Sequence, residues 1–233
     1  MAEIGSDGGW LNSAEAWIKL APNHATRTLL LDPIMLAEAG EVSSLRVLDM
    51  GCGEGRFSRL LAERGATAIG VDPIRRLVEA AVEAGDETQN YLQGVGENLP
   101  FCDQSFDIVV AYLALIDIPD YRSAIREAAR VLKPKGRFLI ANVSNLASSS
   151  GDRVYDENGR FLHYAIDDYL EEKSLTLEFG GVRIRNWHRP LSDIWTLISK
   201  QDSHSSAISN RNPTSRYATT HASRAGFAYP RLM

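Results

Sequence analysis

Three glycines at alternate positions, Gly51, Gly53 and Gly55, follow an acid in the stretch Asp49-Met50-Gly51-Cys52-Gly53-Glu54-Gly55. Residues without a Cβ let a backbone pass close to a bound molecule, and a helix that begins just after such a loop offers it unpaired N–H groups. Loops of this kind often cradle phosphates. Here the spacing argues otherwise. A dinucleotide fingerprint wants a small residue where this chain has Arg56, and the phosphate loop wants a Gly-Lys pair that does not follow. The Asp49 carboxylate would repel a pyrophosphate. It suits a ligand carrying a cationic amino acid, whose ammonium it can accept directly or through water. A second acid, Asp72, stands 23 residues further on, where a carboxylate can take both hydroxyls of a ribose. Each acid also has a plainer role open to it. Asp49 can cap a helix, and Asp72, followed by Pro73, can act as an N-cap while it holds a ligand. Cys52 reads as a small filler of the loop with no redox or nucleophilic task.

These residues need a scaffold, and the periodicity of the chain supplies one. Leu45–Met50 is a short apolar run ending in the glycine loop, as a buried parallel strand does. Phe57, Leu60 and Leu61 recur on one helix face, and Gly65 follows as a C-terminal cap. Thr67–Val71 is a second strand closed by Asp72. Pro73 sits where a first helical residue tolerates it, ahead of a buried stripe of Ile74, Leu77, Val78, Ala81 and Val82 that Gly85 ends. Tyr91–Gln93, Phe106–Ala111 and Arg137–Val143 read as further strands, with a helix over Asp120–Leu132 and a turn at Lys133-Pro134-Lys135-Gly136. Asp107 reads as an acid that holds the entrance of its strand and does no chemistry. Strand and helix alternating at this spacing predict an α/β fold: a doubly wound, mostly parallel Rossmann-like sheet with helices on both faces.

The flanks are expected to differ from this core. Residues 1–40 read as an N-terminal helical lid divided by Pro22 and Pro33, and 41–145 as the ligand-binding core. Residues 146–200 form a substrate-side insertion, with a strand pair within Thr176–Trp187 and a helix over Pro190–Lys200 that carries Leu191, Ile194, Trp195 and Ile198 on one side. From 201 to 233 the composition shifts to six serines, four arginines and one acid, Asp202. This tail is expected to be irregular or divergent, as a shifted reading frame would leave it.

With 233 residues, 44% of them hydrophobic, the chain can bury one substantial core. A net charge of −5 demotes nucleic acid as a partner. Cys52 and Cys102 have no metal-ligand spacing between them, so no metal site and no disulfide framework are expected. With no leader and no long apolar run, the reading is a cytoplasmic protein, monomeric or homodimeric, acting away from membranes.

The stretch 45–143 resembles the class I S-adenosylmethionine-dependent methyltransferases, especially the small-molecule group called type 11. The matching segments are Val47-Leu48-Asp49-Met50-Gly51-Cys52-Gly53-Glu54-Gly55, Gly70-Val71-Asp72, Gly96-Glu97-Asn98-Leu99-Pro100-Phe101, Ser105-Phe106-Asp107-Ile108-Val109 and Val131-Leu132-Lys133-Pro134-Lys135-Gly136-Arg137. The resemblance implies S-adenosylmethionine as cofactor, with the backbone at Gly51 and Gly53 passing against its methionine part and Asp49 and Cys52 among the cofactor-binding residues of the same loop. It implies Asp72 on the ribose, Pro73 and Ile74 packed on the adenine, and Glu97 and Asn98 at the adenine edge. It also implies Ala111 and Tyr112 near the sulfonium and the transferred methyl, with Tyr112 a catalytic candidate. Trp187-His188-Arg189-Pro190-Leu191-Ser192 resembles a segment ahead of a helix that flanks the acceptor pocket in related enzymes. His188 there could accept a proton from the acceptor; alternatively it satisfies a buried carbonyl while Arg189 pairs with a carboxylate. His163 and Tyr164 share that ambiguity, and Trp10, Trp17 and Tyr112 are candidates to line a lid.

Displacement at a sulfonium needs alignment and exclusion of water, and a base only when the acceptor must lose a proton. The place after the fourth strand reads Ala111-Tyr112-Leu113-Ala114-Leu115-Ile116-Asp117, without the Asn/Asp-Pro-Pro-Tyr pattern of exocyclic-amine methylases, which favours a small-molecule acceptor. Two alternatives stay open. One is a nicotinamide oxidoreductase on the same fold. The other is a catalytically weak or non-catalytic cofactor binder, since beyond Lys200 the two strands, six and seven, that normally close such a sheet cannot be read; Ser223-Arg224-Ala225-Gly226-Phe227 is at best a fragment.

Overall fold

The computed structural model describes residues 9–202. Its centre is a five-stranded, wholly parallel sheet in the order β3-β2-β1-β4-β5, built from β1 (Arg46–Met50), β2 (Thr67–Asp72), β3 (Gln89–Gln93), β4 (Phe106–Tyr112) and β5 (Leu132–Ala141). Helices α3 (Arg56–Ala62), α4 (Arg75–Ala84) and α5 (Tyr121–Val131) are the crossovers. Because successive strand residues point to opposite faces, each strand feeds two cores. Leu48, Met50, Val109 and Ala111 face α5 and Ile194. Val47, Ile108, Val110 and Tyr112 face Phe57 and Leu61 of α3 and Met35, Leu36 and Ala39 of α2 (Asp32–Ala39).

The chain enters through α1 (Gly9–Leu20), a turn of 3-10 helix at Ala21–Asn23 and a π-helical turn at Thr26–Leu31 before α2. Helix α1 packs Ala14 on Ile74 and Leu77 beside α4, and the buried Ser13 donates to the carbonyl of Arg183 at 2.8 Å and accepts from its N–H at 2.9 Å. Past the sheet come a short α6 (Asn145–Ser149) and two antiparallel hairpins, β6 (Ser150–Tyr155) with β7 (Phe161–Ile166) and β8 (Lys173–Phe179) with β9 (Val182–His188), and then α7 (Leu191–Asp202). Among the described residues no helix is long and apolar enough to cross a membrane.

Several expectations need correction. The predicted turn at Lys133–Gly136 lies within β5: Leu132 pairs with Phe106 and Arg137 with Ile108, so the residues between form an irregular excursion of one strand, with Lys135 at φ +66°. Helix α4 buries Leu77, Ala80 and Ala81 and leaves Val82 exposed. In α7 the inward side is Ile194, Leu197 and Ile198, and Trp195 and Leu191 face outward. In each case the face is chosen by what the helix packs on, which periodicity alone leaves free within a residue or two. The hairpin β6–β7 has no counterpart in the expectations from sequence. The irregular tail and the fragment Ser223–Phe227 lie, from residue 203 onward, outside the described residues.

Candidate functional site

In an open parallel sheet, adjacent strands whose crossovers leave in opposite directions open a crevice at their carboxyl ends, and ligands bind there. Here that point lies between β1 and β4, which are neighbours although β2 follows β1 in the chain. The glycine loop leaves β1 at this point, and the loop 113–119 leaves β4 beside it. The two meet closely: a Cβ added to Gly51 would stand 2.5 Å from that of Ala114. All three loop glycines have positive φ, at +77°, +57° and +76°. A Cβ on Gly55 would collide with Ala81 and the ring of Tyr91, so two of the three glycines are demanded by the protein itself. Only beside Gly53 is there room, where the nearest atom is Trp17 Nε1 at 3.7 Å.

Hydrogen bonds hold the loop's shape. Gly51 and Cys52 donate N–H groups to the carbonyl of Val71 at 2.8 and 3.1 Å, and Gly55 donates to that of Cys52. Asp72 accepts from Gly53 N–H on one oxygen and Ile74 N–H on the other, both at 2.9 Å. Helix α4 starts at Arg75 with Ile74 as its N-cap, so Asp72 does not cap it and Pro73 is not its first residue; Asp72 instead shapes the turn ahead of the helix, and its remaining lone pairs stay at the mouth of β2. Asp49, 1% exposed, accepts the Ser58 hydroxyl at 2.7 Å. Burial pushes both carboxyl groups up to about 6, against the hydrogen bonds that favour their charged forms. Cys52 is buried against Gly70, and burial with nearby carboxylates pushes its thiol well up, so it is the inert filler expected.

The N-terminal segment reaches this loop through residues that sequence reasoning passed over. Arg27, from the π-helical turn, is buried and donates to Glu54 Oε1 at 3.0 Å, while the Trp17 indole N–H donates to Glu54 Oε2 at 2.8 Å. The Arg27 guanidinium lies over the rings of Trp17 and Tyr112. Arg56, which breaks the dinucleotide pattern, pairs with Asp32, and Asp32 also accepts the Tyr112 hydroxyl at 2.8 Å. No local pattern marks these contacts, because their partners lie dozens of residues away.

The predicted site residues divide accordingly. Asp49, Gly51, Cys52, Gly53, Asp72 and Pro73 gather around the loop. Glu97 and Asn98, half-buried and exposed, lie in the loop after β3, which passes close by: a Cβ on Gly96 would stand 3.0 Å from Met50 Sδ and 3.1 Å from Ile118. Ile74 and Ala111 are buried in protein, Ile74 beneath α1 and Ala111 facing α5, so neither offers open surface. Tyr112 is locked by Asp32 and stacked edge-on with Phe57, and burial and Asp32 raise its phenol far above the usual range. His188, 0% exposed, has Nδ1 at 2.8 Å from Ser148 Oγ and Nε2 at 2.9 Å from the carbonyl of Tyr169. Arg189 pairs with Glu172 and caps the carbonyls of Leu115, Ile118 and Pro119. For this segment the geometry favours the structural alternative over a free base, because both ring nitrogens of His188 are already engaged.

A carboxyl absent from the sequence-derived set stands beside the crevice. Asp117, in the loop after β4, accepts from the amide of Asn186 on β9. The residue as a whole is half-buried, yet burial of its carboxyl, with Asp72 nearby, pushes it up to about 8.

Comparison with known proteins agrees with this geometry. A family profile described as a methyltransferase domain matches residues 48–140. An uncharacterized methyltransferase of Bacillus subtilis is 40% identical over 164 residues, a match covering 64% of this chain and 63% of that protein's length. An S-adenosylmethionine-dependent methyltransferase structure from Mesorhizobium loti superposes with a TM-score of 0.62 at 26% identity, over 72% of this chain and 78% of that one. Another described as putative, from Listeria monocytogenes, gives 0.61 at 25% identity over 81% and 84%. Residues 48–140 therefore match a methyltransferase domain, and the parallel sheet with its loop at the β1–β4 crevice is the fold of these S-adenosylmethionine-dependent methyltransferase structures; the chain spans less than two thirds of the length of the first curated relative it matches.

Proposed function

We propose that this chain moves a methyl group from S-adenosylmethionine to a small-molecule acceptor. The observation that carries the reading is the pair of buried carboxyl groups, Asp49 and Asp72, on either side of a glycine loop at the β1–β4 crevice. Buried acids held above their ordinary range favour a ligand that brings positive charge and hydroxyl donors, and disfavour a pyrophosphate. That donor set fits this cofactor. Asp72 would hold the ribose hydroxyls on its free lone pairs, Asp49 would face the ammonium, the backbone at Gly51 and Gly53 would pass the methionine part, and Glu97 and Asn98 would meet the adenine edge.

When bound, the cofactor supplies an electrophilic methyl on a positively charged sulfur. The chain's own share is to align the acceptor and exclude water. Trp17 stands beside Gly53 with Trp10 edge-on against it at 5.6 Å, and the two would close that side of the crevice over a bound ligand. The Arg27–Glu54 pair holds that closure to the loop.

A ligand panel in thermal melts tests the reading. S-adenosylhomocysteine is expected to raise the melting temperature and NADH to leave it unchanged. The reverse result would favour the nicotinamide alternative, against which Arg56, engaged with Asp32 where a third glycine would be, already argues.

A further inference from the structure

We infer that Asp117 is the residue that receives the acceptor, holding its hydroxyl or amine at the crevice and taking the proton it sheds. The inference rests on the methyl-transfer reading and adds the class of acceptor: a nucleophile that carries a proton.

The loop 113–119 departs from β4 at the crevice and is built for position. Leu113 opens it at φ +57°, a left-handed conformation costly for a branched side chain, and its N–H is held by the carbonyl of Ala141 at 2.9 Å. The N–H groups of Asp117 and Ile118 both donate to the carbonyl of Ala114. The carbonyl of Ile116 takes the N–H of Trp187 at 2.7 Å, and Arg189 ties down the carbonyls of Leu115, Ile118 and Pro119. A loop held at this many points presents one side chain reproducibly, as a reacting group requires. Asp117 is that side chain. The groups facing it are Trp10 from α1, Asn186 from β9, Asp72 at the end of β2, and Arg189, which lies after β9 and is itself occupied by Glu172.

Its direct donor, the Asn186 amide, is neutral and does not fully offset the cost of a charge taken out of water. Burial holds the carboxyl up to about 8, while the residue as a whole is half-buried. A carboxylate of that basicity is matched to accept a proton near neutral pH. In the step assigned to it, Asp117 takes the proton from the acceptor's oxygen or nitrogen as that atom bonds to the methyl carbon. The carbon–sulfur bond breaks with its electron pair on sulfur, and Asp117 afterwards releases the proton to solvent.

The test needs no acceptor. Sinefungin carries an amine-bearing carbon in place of the methyl-bearing sulfur, so its ammonium reports the charge facing the transfer point. S-adenosylhomocysteine has no such group. Calorimetry on the full chain compares the two from pH 6.5 to 8.5. The native protein is expected to gain roughly tenfold in its preference for sinefungin, with a midpoint near 8, as a charge-assisted hydrogen bond forms. Asp117→Asn is expected to lose that gain while keeping S-adenosylhomocysteine affinity within about twofold, since its amide can still occupy the same space. An equal preference in both proteins, or a midpoint near 6 where Asp49 and Asp72 titrate, would overturn the inference. If the variant does not fold, the native profile alone decides: a flat profile overturns it. Failure of S-adenosylhomocysteine to bind the native chain would instead overturn the methyltransferase reading, and the inference with it.

Discussion

Arg27 and Glu54 form a buried ion pair, 3.0 Å from Nη1 to Oε1, that ties the N-terminal helical segment to the glycine loop. Removing one partner leaves the other charged and enclosed. Arg27→Met is therefore expected to cost about 3 kcal/mol in urea unfolding. Combining Arg27→Met with Glu54→Gln should recover much of that loss, because the new amide oxygen can still accept from the Trp17 indole while no charge is left unpaired. Equal losses in the single and double variants would contradict the coupling.

Gly51 and Ala114 join the two loops at the crevice. Gly51→Ala is expected to destabilise by roughly 3 kcal/mol, from the positive φ and from the collision with the Ala114 methyl. Adding Ala114→Gly should return the part due to the collision and leave about 1–2 kcal/mol of backbone strain. Denaturation midpoints of the two variants check this.

Asp72 accepts two backbone N–H groups and is proposed to hold the ribose. Asp72→Ala is expected to weaken S-adenosylhomocysteine binding by about 2 kcal/mol in calorimetry. Unchanged affinity in a folded variant would remove Asp72 from the ribose.

Both Asp49 and Asp72 are raised by burial from an ordinary value of 3.8 to about 6. The folded protein thus holds their protons more tightly than the unfolded chain does. Their contribution to stability is present below about pH 4 and lost as pH rises through 6. Cofactor binding should run the other way. It uses the charged carboxylates, so affinity for S-adenosylmethionine is expected to rise between about pH 5 and 7, and the ligand-induced melting shift to grow with it. A ligand-induced shift independent of pH over that range would argue that neither acid meets the cofactor's charge.

Much of the fold is legible because it is written in local patterns. The apolar runs before Asp49 and Asp72, the glycines after Asp49 and the proline at position 73 mark the strand ends at which a ligand must bind. Asp107 holds the entrance of its strand as its position suggests, accepting from the N–H of Arg46 and from Lys133. The strand pair within Thr176–Trp187 and the helix after Pro190 also stand, as β8–β9 and α7. By contrast, Gly55, Gly70 and Gly85 all make room for one ring, that of Tyr91, and no spacing within the sequence links the four.

By itself, the sequence determined the architecture and the resemblance to a methyltransferase domain, since period, turn chemistry and the order of acids and glycines are properties of neighbouring residues. The tertiary structure alone decided which polar groups are free to act. His188 has the chemistry of a base, yet Ser148 and Tyr169 take both of its nitrogens; Asp117 is an ordinary loop acid in the sequence, yet the Asn186 amide holds it and burial raises its proton affinity. A side chain's proton affinity and reach depend on desolvation and on partners distant in the chain, and these exist only once the chain has folded.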